Sequence, residues 1–446
     1  MSEPGSGSPS THASIAPAGP PAGATVCTAC ALLCDDGIVR RAEGRFERLC
    51  ERGADAFGRA AAATCPAATI DGRPADVATA IATAAGRLGG ARRVLVTGLN
   101  DVTIEGVTAA CDVAETLGAA LAPADEDARH PGGPTIARCG EITAAWEELR
   151  DRADLVIFWC CDPTKSHPRF IERFVTPPLA GGRQRQTIAI GPDSVMPDAS
   201  THRHLPLARD LAVEAARWLQ MRIAGRHSTL TDTPLSATCV AVEEAMQSAD
   251  CVAIITGDAD DSVGLEAWSI VHLVRTIAHE KHAFQIPLGA GLAAGGANVA
   301  GTSAVCTWRY GAAGAIARAD RMGSLFLPGE SDARRLIERG EVDAVVILGR
   351  LSEPLEQAIA DRGDAVSLVR ISDAATMPRK PTGPSIHIRC ASLTIATTGT
   401  MLREDGRSVV LAPHQQATLP QMRELIVDLE QAVRQSLALP AAGGRP

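Results

Sequence analysis

The stretch Ala153-Asp-Leu-Val-Ile-Phe-Trp-Cys-Cys-Asp-Pro163 decides the fold class. Its centre, Leu155 to Trp159, is apolar at every position rather than at every second one. A strand of that kind is buried on both faces, as the strands of parallel sheets are. Working outward, similar short runs occur at 93–98 (RVLVTG), 187–191 (TIAIG), 252–257 (VAIITG), 343–349 (DAVVILG), 365–371 (AVSLVRI) and 392–396 (SLTIA). Amphipathic stretches of helical spacing separate them, at 75–87, 104–117, 142–150, 210–223, 264–278, 332–339 and 421–437. Such alternation predicts an α/β protein with parallel sheets and helices on both faces. Several runs end in turns, Thr97-Gly98-Leu99-Asn100, Cys161-Asp162-Pro163, Gly191-Pro192-Asp193 and Gly257-Asp258 among them. Ligands of open α/β sheets gather at those carboxyl ends. None of the turns is a G-x-G-x-x-G or Walker A sequence, which argues against nicotinamide dinucleotide and P-loop chemistry.

A chain of 446 residues suits about two to four packed lobes. Hydrophobic residues are 46% but aromatics only 3%, so the packing must rely on Ala, Val, Leu and Ile. Lys and Arg number 43 against 52 Asp and Glu, a net charge of -9. That balance leaves no basic stripe for nucleic acid. No apolar run reaches membrane-spanning length. The first residues lack the basic and apolar regions of a secretory signal, so a cytoplasmic location is expected. Residues 1–23 are Ser, Pro, Gly and Ala with almost nothing bulky, and are expected to be disordered.

The 13 cysteines, an odd number, are expected to be reduced, buried or metal-bound rather than paired in disulfides. Cys111, Cys139, Cys239, Cys251 and Cys390 stand singly in apolar surroundings, as small core residues do. Cys27, Cys30 and Cys34 differ: their C-x2-C-x3-C spacing puts three thiols on one tight loop, and Cys50 follows after a short gap. A hairpin over 38–46, turning at Glu43-Gly44, would bring Cys50 back to the other three. Four thiolates can enclose a [4Fe–4S] cluster or a structural zinc ion.

The segment Cys27-Thr-Ala-Cys-Ala-Leu-Leu-Cys-Asp-Asp36, with Leu49-Cys-Glu-Arg-Gly-Ala-Asp-Ala-Phe57, resembles the N-terminus of the B subunit of formylmethanofuran dehydrogenase. The resemblance continues in 153–163, in Ser166-His-Pro-Arg169, in 298–308 (NVAGTSAVCTW) and more faintly in 399–405 (GTMLRED), spanning residues 25–410. It implies a molybdopterin-oxidoreductase fold with several doubly wound Rossmann-like lobes and a small Cys-rich segment. It also implies a [4Fe–4S] cluster on Cys27, Cys30, Cys34 and Cys50, and a tungsto- or molybdopterin cleft beyond. The implied division is a tail (1–23), the Cys-rich segment (24–70), pterin-oxidoreductase-like lobes (71–135 with 285–410), an inserted Rossmann-like lobe (136–284), and a C-terminal helix and disordered tail (411–446).

One departure matters. In that family a Cys in a Cys-His-Gly-Pro-like stretch ligates the metal, whereas the corresponding stretch here is Ala128-Arg-His-Pro-Gly-Gly-Pro134. Neither Arg nor neutral His replaces a soft thiolate. Similarly, the family's Gly-Ser-Asp-Pro turn is Gly349-Arg-Leu-Ser-Glu-Pro354 here. The pterin and its redox step are therefore expected to be lost, leaving His130, His167 and Arg169 as cleft remnants. The resemblance then points to the related formyltransferase/hydrolase complex, in which this subunit is a scaffold. Its partners would be an amidohydrolase-like A subunit, a formyltransferase D subunit and a C subunit, which bind the methanofuran-type carrier. The competing expectation is a catalytic tungsten or molybdenum subunit with an unconventional ligand.

Remaining candidates read as structural. His167 and Arg169 divide evenly between cleft lining and loop hydrogen bonds. Asp162 is expected to cap a helix. His202 and His204 lack a third ligand, and Asp258, Asp260 and Asp261 read as a solvated turn. Asp125, Glu126 and Asp127 read as a surface loop. Trp159, Trp308 and Tyr310 are expected to be packing residues.

Overall fold

The computed structural model describes residues 24–40, 45–62, 66–123, 140–193, 203–226, 233–257, 265–288, 296–320, 322–373 and 383–438. A small antiparallel sheet, β1 (Ala24–Thr25), β2 (Gly37–Arg40) and β3 (Arg45–Glu47), carries the cysteine loop. The chain then lays down β4 (Ala68–Ile70), β5 (Arg73–Ala75), β6 (Val94–Thr97) and β7 (Ala120–Leu121) of a larger sheet. It leaves that sheet to build a second one: β8 (Leu155–Trp159), β9 (Gln186–Gly191), β10 (Arg203–Pro206), β11 (Cys251–Thr256) and β12 (His282–Pro287). It returns with β13 (Ile316–Arg318), β14 (Leu325–Phe326), β15 (Ala344–Leu348), β16 (Ser367–Asp373) and β17 (Ser385–Cys390), and ends with the hairpin β18 (Gly399–Leu402) and β19 (Ser408–Leu411).

The five-stranded sheet runs β10-β9-β8-β11-β12, with every neighbouring pair parallel. The nine-stranded sheet runs β14-β13-β7-β6-β15-β16-β17-β4-β5; its β7 to β17 centre is parallel and its outer strands antiparallel. The protein is thus a mixed α/β fold with parallel sheets, as the continuous apolar runs predict.

Side-chain alternation sorts each strand between two helix layers. Val94 and Val96 of β6, with Val346 of β15, join the core under helices Val77–Gly89, Ile104–Leu117 and Met422–Ala438. Leu95, Val345 and Ile347 point the other way, onto Ala333–Glu338 and Glu353–Arg362. In the second sheet Leu155, Ile157 and Trp159 pack on helices Ala212–Ile223, Pro234–Ser248 and Leu265–Ala278. Val156 and Phe158 face Cys27, Leu32 and Cys34 of the cysteine loop, together with Phe57, Trp146, Phe170 and Phe174. The loop therefore takes the place of a helix layer on that face. Each such buried Phe contributes about 1.5–3 kcal/mol.

Three expectations are corrected. The run Ser392–Ala396 is a turn, not a strand: Ala396 N donates to Ser392 O at 2.9 Å, and the Thr397 hydroxyl donates to the same carbonyl at 3.0 Å. The strand at that place is β17 just before it, where His387 and Arg389 interrupt the apolar pattern. The stretch 142–150 becomes helical only from Trp146, because Ile142 O accepts from Gln285 N at 2.8 Å and holds the preceding residues extended along β12. The Asp405 carboxylate then accepts from Trp146 N at 2.9 Å. Trp308 is 71% exposed rather than packed, on a helix (Val299–Tyr310) whose buried face is Thr302, Val305 and Cys306. Among the described residues no helix is long and apolar enough to cross a membrane.

Candidate functional site

The cysteine loop is closed by its own backbone. Cys27 N donates to Cys34 O at 2.8 Å, and Leu33 N, with its residue in the left-handed region (φ 43°), donates to Cys30 O at 3.2 Å. The β2–β3 pairing (Ile38 opposite Glu47) returns the chain, and Cys50 falls just before the helix Glu51–Ala62. That helix approaches so closely that a Cβ on Gly53 would stand 3.0 Å from Cys27 Sγ.

Burial pushes the Cys27 and Cys30 thiols up to about 12, and each is raised further by Cys34 and Cys50 as a close neighbour. Against this, backbone amides of Ala29 and Leu32 donate to the sulfurs of Cys27 and Cys30. Burial also raises the Cys34 thiol, opposed by a hydrogen bond and the charge of Arg173 and by the charge of Arg169. The charge of Arg52 likewise opposes the rise at Cys30. Cys27 and Cys34 are buried and Cys30 and Cys50 half-buried, and N–H donors or guanidinium charge at Cys27, Cys30 and Cys34 are of the kind that favours thiolates. Among the described residues no three Cys, His, Asp or Glu side chains converge closely enough to hold a single ion.

His167 and Arg169 lie behind this loop and are not among the residues lining the cavity described below. His167 is buried, with Nε2 2.8 Å from Glu404 Oε2, Nδ1 2.9 Å from Ser166 Oγ, and its ring edge-on to Trp146. Arg169 bonds Asp36 at 2.9 and 2.8 Å and Glu172 at 3.0 and 2.6 Å, and also donates to Arg48 O. Both brace the loop against the second sheet. Asp162 caps the next turn, its carboxylate accepting from Thr164 N at 2.9 Å. His204 sits on the edge strand β10, 3.3 Å from Asp193. His130 with the rest of 128–134, Asp125, Glu126, Asp127, Cys139, His202, Asp258, Asp260, Asp261, Glu43-Gly44 and both terminal tails lie outside the described residues.

A cavity of about 650 Å³ adjoins the loop at Thr28 and Ala29 and continues to the carboxyl ends of β6, β15 and β16. Strand order explains the position. From β6 the chain moves outward to β7, whereas from β15 it moves the opposite way to β16 and β17. Such a switch point leaves a crevice outside the strand ends. Gly98 and Gly349 make the two turns there with φ of 82° and 92°, and a Cβ on Gly349 would stand 3.1 Å from Gly98 O. Arg350 spans the crevice to Asp101, with bonds of 2.6 and 3.0 Å, and Asp101 also accepts from Ala297 N at 3.0 Å. Arg52 and Arg59 reach the same cavity from the helix that follows Cys50, and Arg423 from the C-terminal helix.

Sequence reasoning missed Arg52, Arg173 and the Asp101–Arg350 pair. Arg52 stands two residues after Cys50, a signal that was there to read. Arg173 and Asp101 reach their partners only through tertiary packing.

No protein-family profile and no curated protein matches the chain. Among solved structures it is similar to a chain in the X-ray crystal structure of the formyltransferase/hydrolase complex (FhcABCD) from Methylorubrum extorquens in complex with methylofuran. The identity is 18% and the TM-score 0.68, over 83% of this chain and 99% of that one. At that identity the likeness is one of fold: the architecture described above is shared with a chain of that complex.

Proposed function

We propose that this chain is the B subunit of a formyltransferase/hydrolase-like complex in one-carbon metabolism, serving as a non-catalytic scaffold. The formyl group is transferred from a pterin-type carrier to a methanofuran-type carrier and hydrolysed to formate on partner subunits, an amidohydrolase-like A and a formyltransferase D, with C completing the assembly. The observation that carries the reading is the shared fold over 99% of a chain from such a complex. The departure at 128–134, where no Cys stands, supports a scaffold rather than a catalyst. In this reading the architecture is molybdopterin-oxidoreductase-like, with 71–135 and 285–410 forming the main lobes and 136–284 an inserted one. Cys27, Cys30, Cys34 and Cys50 hold a [4Fe–4S] cluster, which supplies a staple for the loop and a one-electron centre. His130 is a remnant of the cleft, whereas His167 and Arg169, expected with it, brace the cysteine loop instead.

One observation favours a second reading. The cavity of about 650 Å³ lies directly beside the cysteine loop, where a catalytic tungsten or molybdenum subunit would pass electrons between pterin and cluster. Elemental analysis of the anaerobically purified complex separates the two. The scaffold reading expects about four irons per copy of this chain, with neither tungsten nor molybdenum. It also expects no formyl-carrier or dye-reducing activity from the chain alone. Stoichiometric tungsten or molybdenum would make this the catalytic subunit.

A further inference from the structure

The stretch 399–405, GTMLRED, forms β18 and the turn after it, and this hairpin touches three parts of the molecule at once. Along β18 it is fixed to the helices of the larger sheet: Thr400 N donates to Glu105 Oε2 at 3.0 Å and Leu402 N to Asn298 Oδ1 at 2.8 Å. Its inner face covers the cysteine loop. Met401 and Leu411 are buried with Leu33 and Ala297, Val26 and Val409 pack against them, and Glu404 N donates to Ala31 O at 3.3 Å. Its tip, Arg403 to Arg407, reaches across to the helix Trp146–Arg152 of the second lobe. There the Arg403 guanidinium, its side chain 3% exposed, donates to Glu147 Oε1 at 2.9 Å and to Asp405 Oδ1 at 2.7 Å. It also lies 4.9 Å from the ring centre of Trp146 and 5.3 Å from that of Phe174. The Asp405 carboxylate holds Trp146 N, Glu404 Oε2 stands 2.8 Å from His167 Nε2, and Arg407 adds a bond to Glu147.

The cysteine loop is therefore held from two sides. Val156 and Phe158 of β8 back one face, the hairpin covers the other, and the tip ties the two layers together. We propose that the β18–β19 hairpin is a strap across the cysteine loop, latched at its tip by Arg403, Asp405 and Glu147, and that release of this latch opens the loop to solvent. The apolar cluster under the strap has four buried residues, so packing alone holds it weakly. The charges at the tip supply the rest, and they act as a unit: removing one partner leaves a buried charge without compensation. Local opening of this kind costs less than unfolding the sheets, and so gives the loop its own route to solvent. The strap is independent of what the four cysteines bind.

The test is hydrogen–deuterium exchange on the full-length chain, read by mass spectrometry of peptides covering 26–35, 399–411 and 155–159. Wild type, Glu147→Gln and Arg407→Gln are compared at matched iron and zinc content. The expected result is that Glu147→Gln speeds exchange in both 26–35 and 399–411 at least about tenfold, with 155–159 unchanged. Arg407, half exposed, bonds Glu147 from the outside, so Arg407→Gln should speed the same two segments by less. Faster exchange confined to 399–411 would overturn the strap, because the loop would then stay shut without it. Unchanged rates in both segments of Glu147→Gln would overturn the latch, and the inference with it. If Glu147→Gln also loosens 155–159, Arg407→Gln decides: parallel acceleration of 26–35 and 399–411 supports the strap, and any other pattern overturns it.

Discussion

Both sheets reverse strand order at one point, between β6 and β15 in the larger and between β8 and β11 in the smaller. At the first, the strand ends open onto a cavity of about 650 Å³ rimmed by arginines and carboxylates. At the second, Trp159, Cys160 and Cys161 end β8 at 1%, 3% and 6% exposure, and a Cβ on Gly257 would stand 2.8 Å from that of Cys161. Cys160 adopts a left-handed backbone (φ 47°), and its carbonyl accepts from Arg209 at 2.8 Å. Topology offers a crevice in both places, but side chains decide whether it is a site. Among the described residues Trp159, Cys160 and Cys161 are tightly packed at one; at the other, two glycine turns and an ion pair line an open cavity.

The largest expected effect is at the end of β8. Trp159→Ala removes a fully buried indole and is expected to cost about 3–5 kcal/mol, measured by denaturant unfolding. A loss under about 1 kcal/mol would mean that this end is looser than its packing indicates. Next is the open end. Arg350→Ala leaves the buried Asp101 carboxylate with the Ala297 amide but without its guanidinium, an expected loss of about 1–3 kcal/mol. The Asp101→Asn, Arg350→Ala double variant should recover part of it, since no buried charge then lacks its partner.

Acid should act through two groups. On β17, burial first, and then Arg389 and Arg370, lower His387 from 6.5 to about 3. The ring is therefore neutral in the folded protein while the unfolded chain takes up a proton below 6.5. Its contribution is complete above that pH and is lost as pH falls toward 3. Replacing it with Gln should flatten the stability profile in that window. Burial raises Glu147, but Arg403 and Arg407 outweigh it and hold it near 2. Its contribution is present above the usual 4.5 and fades as pH falls toward 2, so Glu147→Gln should flatten the more acidic limb. The smallest effect is expected at the cavity mouth: Arg59→Ala, on an exposed helix face, should change stability by no more than about 0.5 kcal/mol. A larger loss would show that this arginine braces the wall rather than facing solvent.

The sequence by itself determined the parallel-sheet class and most helices, because burial on both faces writes continuous apolar runs and helical packing writes a 3.6-residue period. It determined the cysteine loop too, since three thiols within eight residues need no tertiary contact to be neighbours. Elsewhere tertiary contacts overrode the local pattern. Ser392–Ala396 is apolar enough for a strand, yet the strand falls on 385–390, where His387 is half-buried and paired with Ser372 at 2.8 Å. Trp308 stayed exposed because helix phase, not hydrophobicity, sets which side chains face inward. Asp101 with Arg350, and Cys34 with Arg173, are 249 and 139 residues apart in the chain. No local pattern records such pairs. The folded sheets bring them together, and burial makes the Asp101 carboxylate depend on the Arg350 guanidinium.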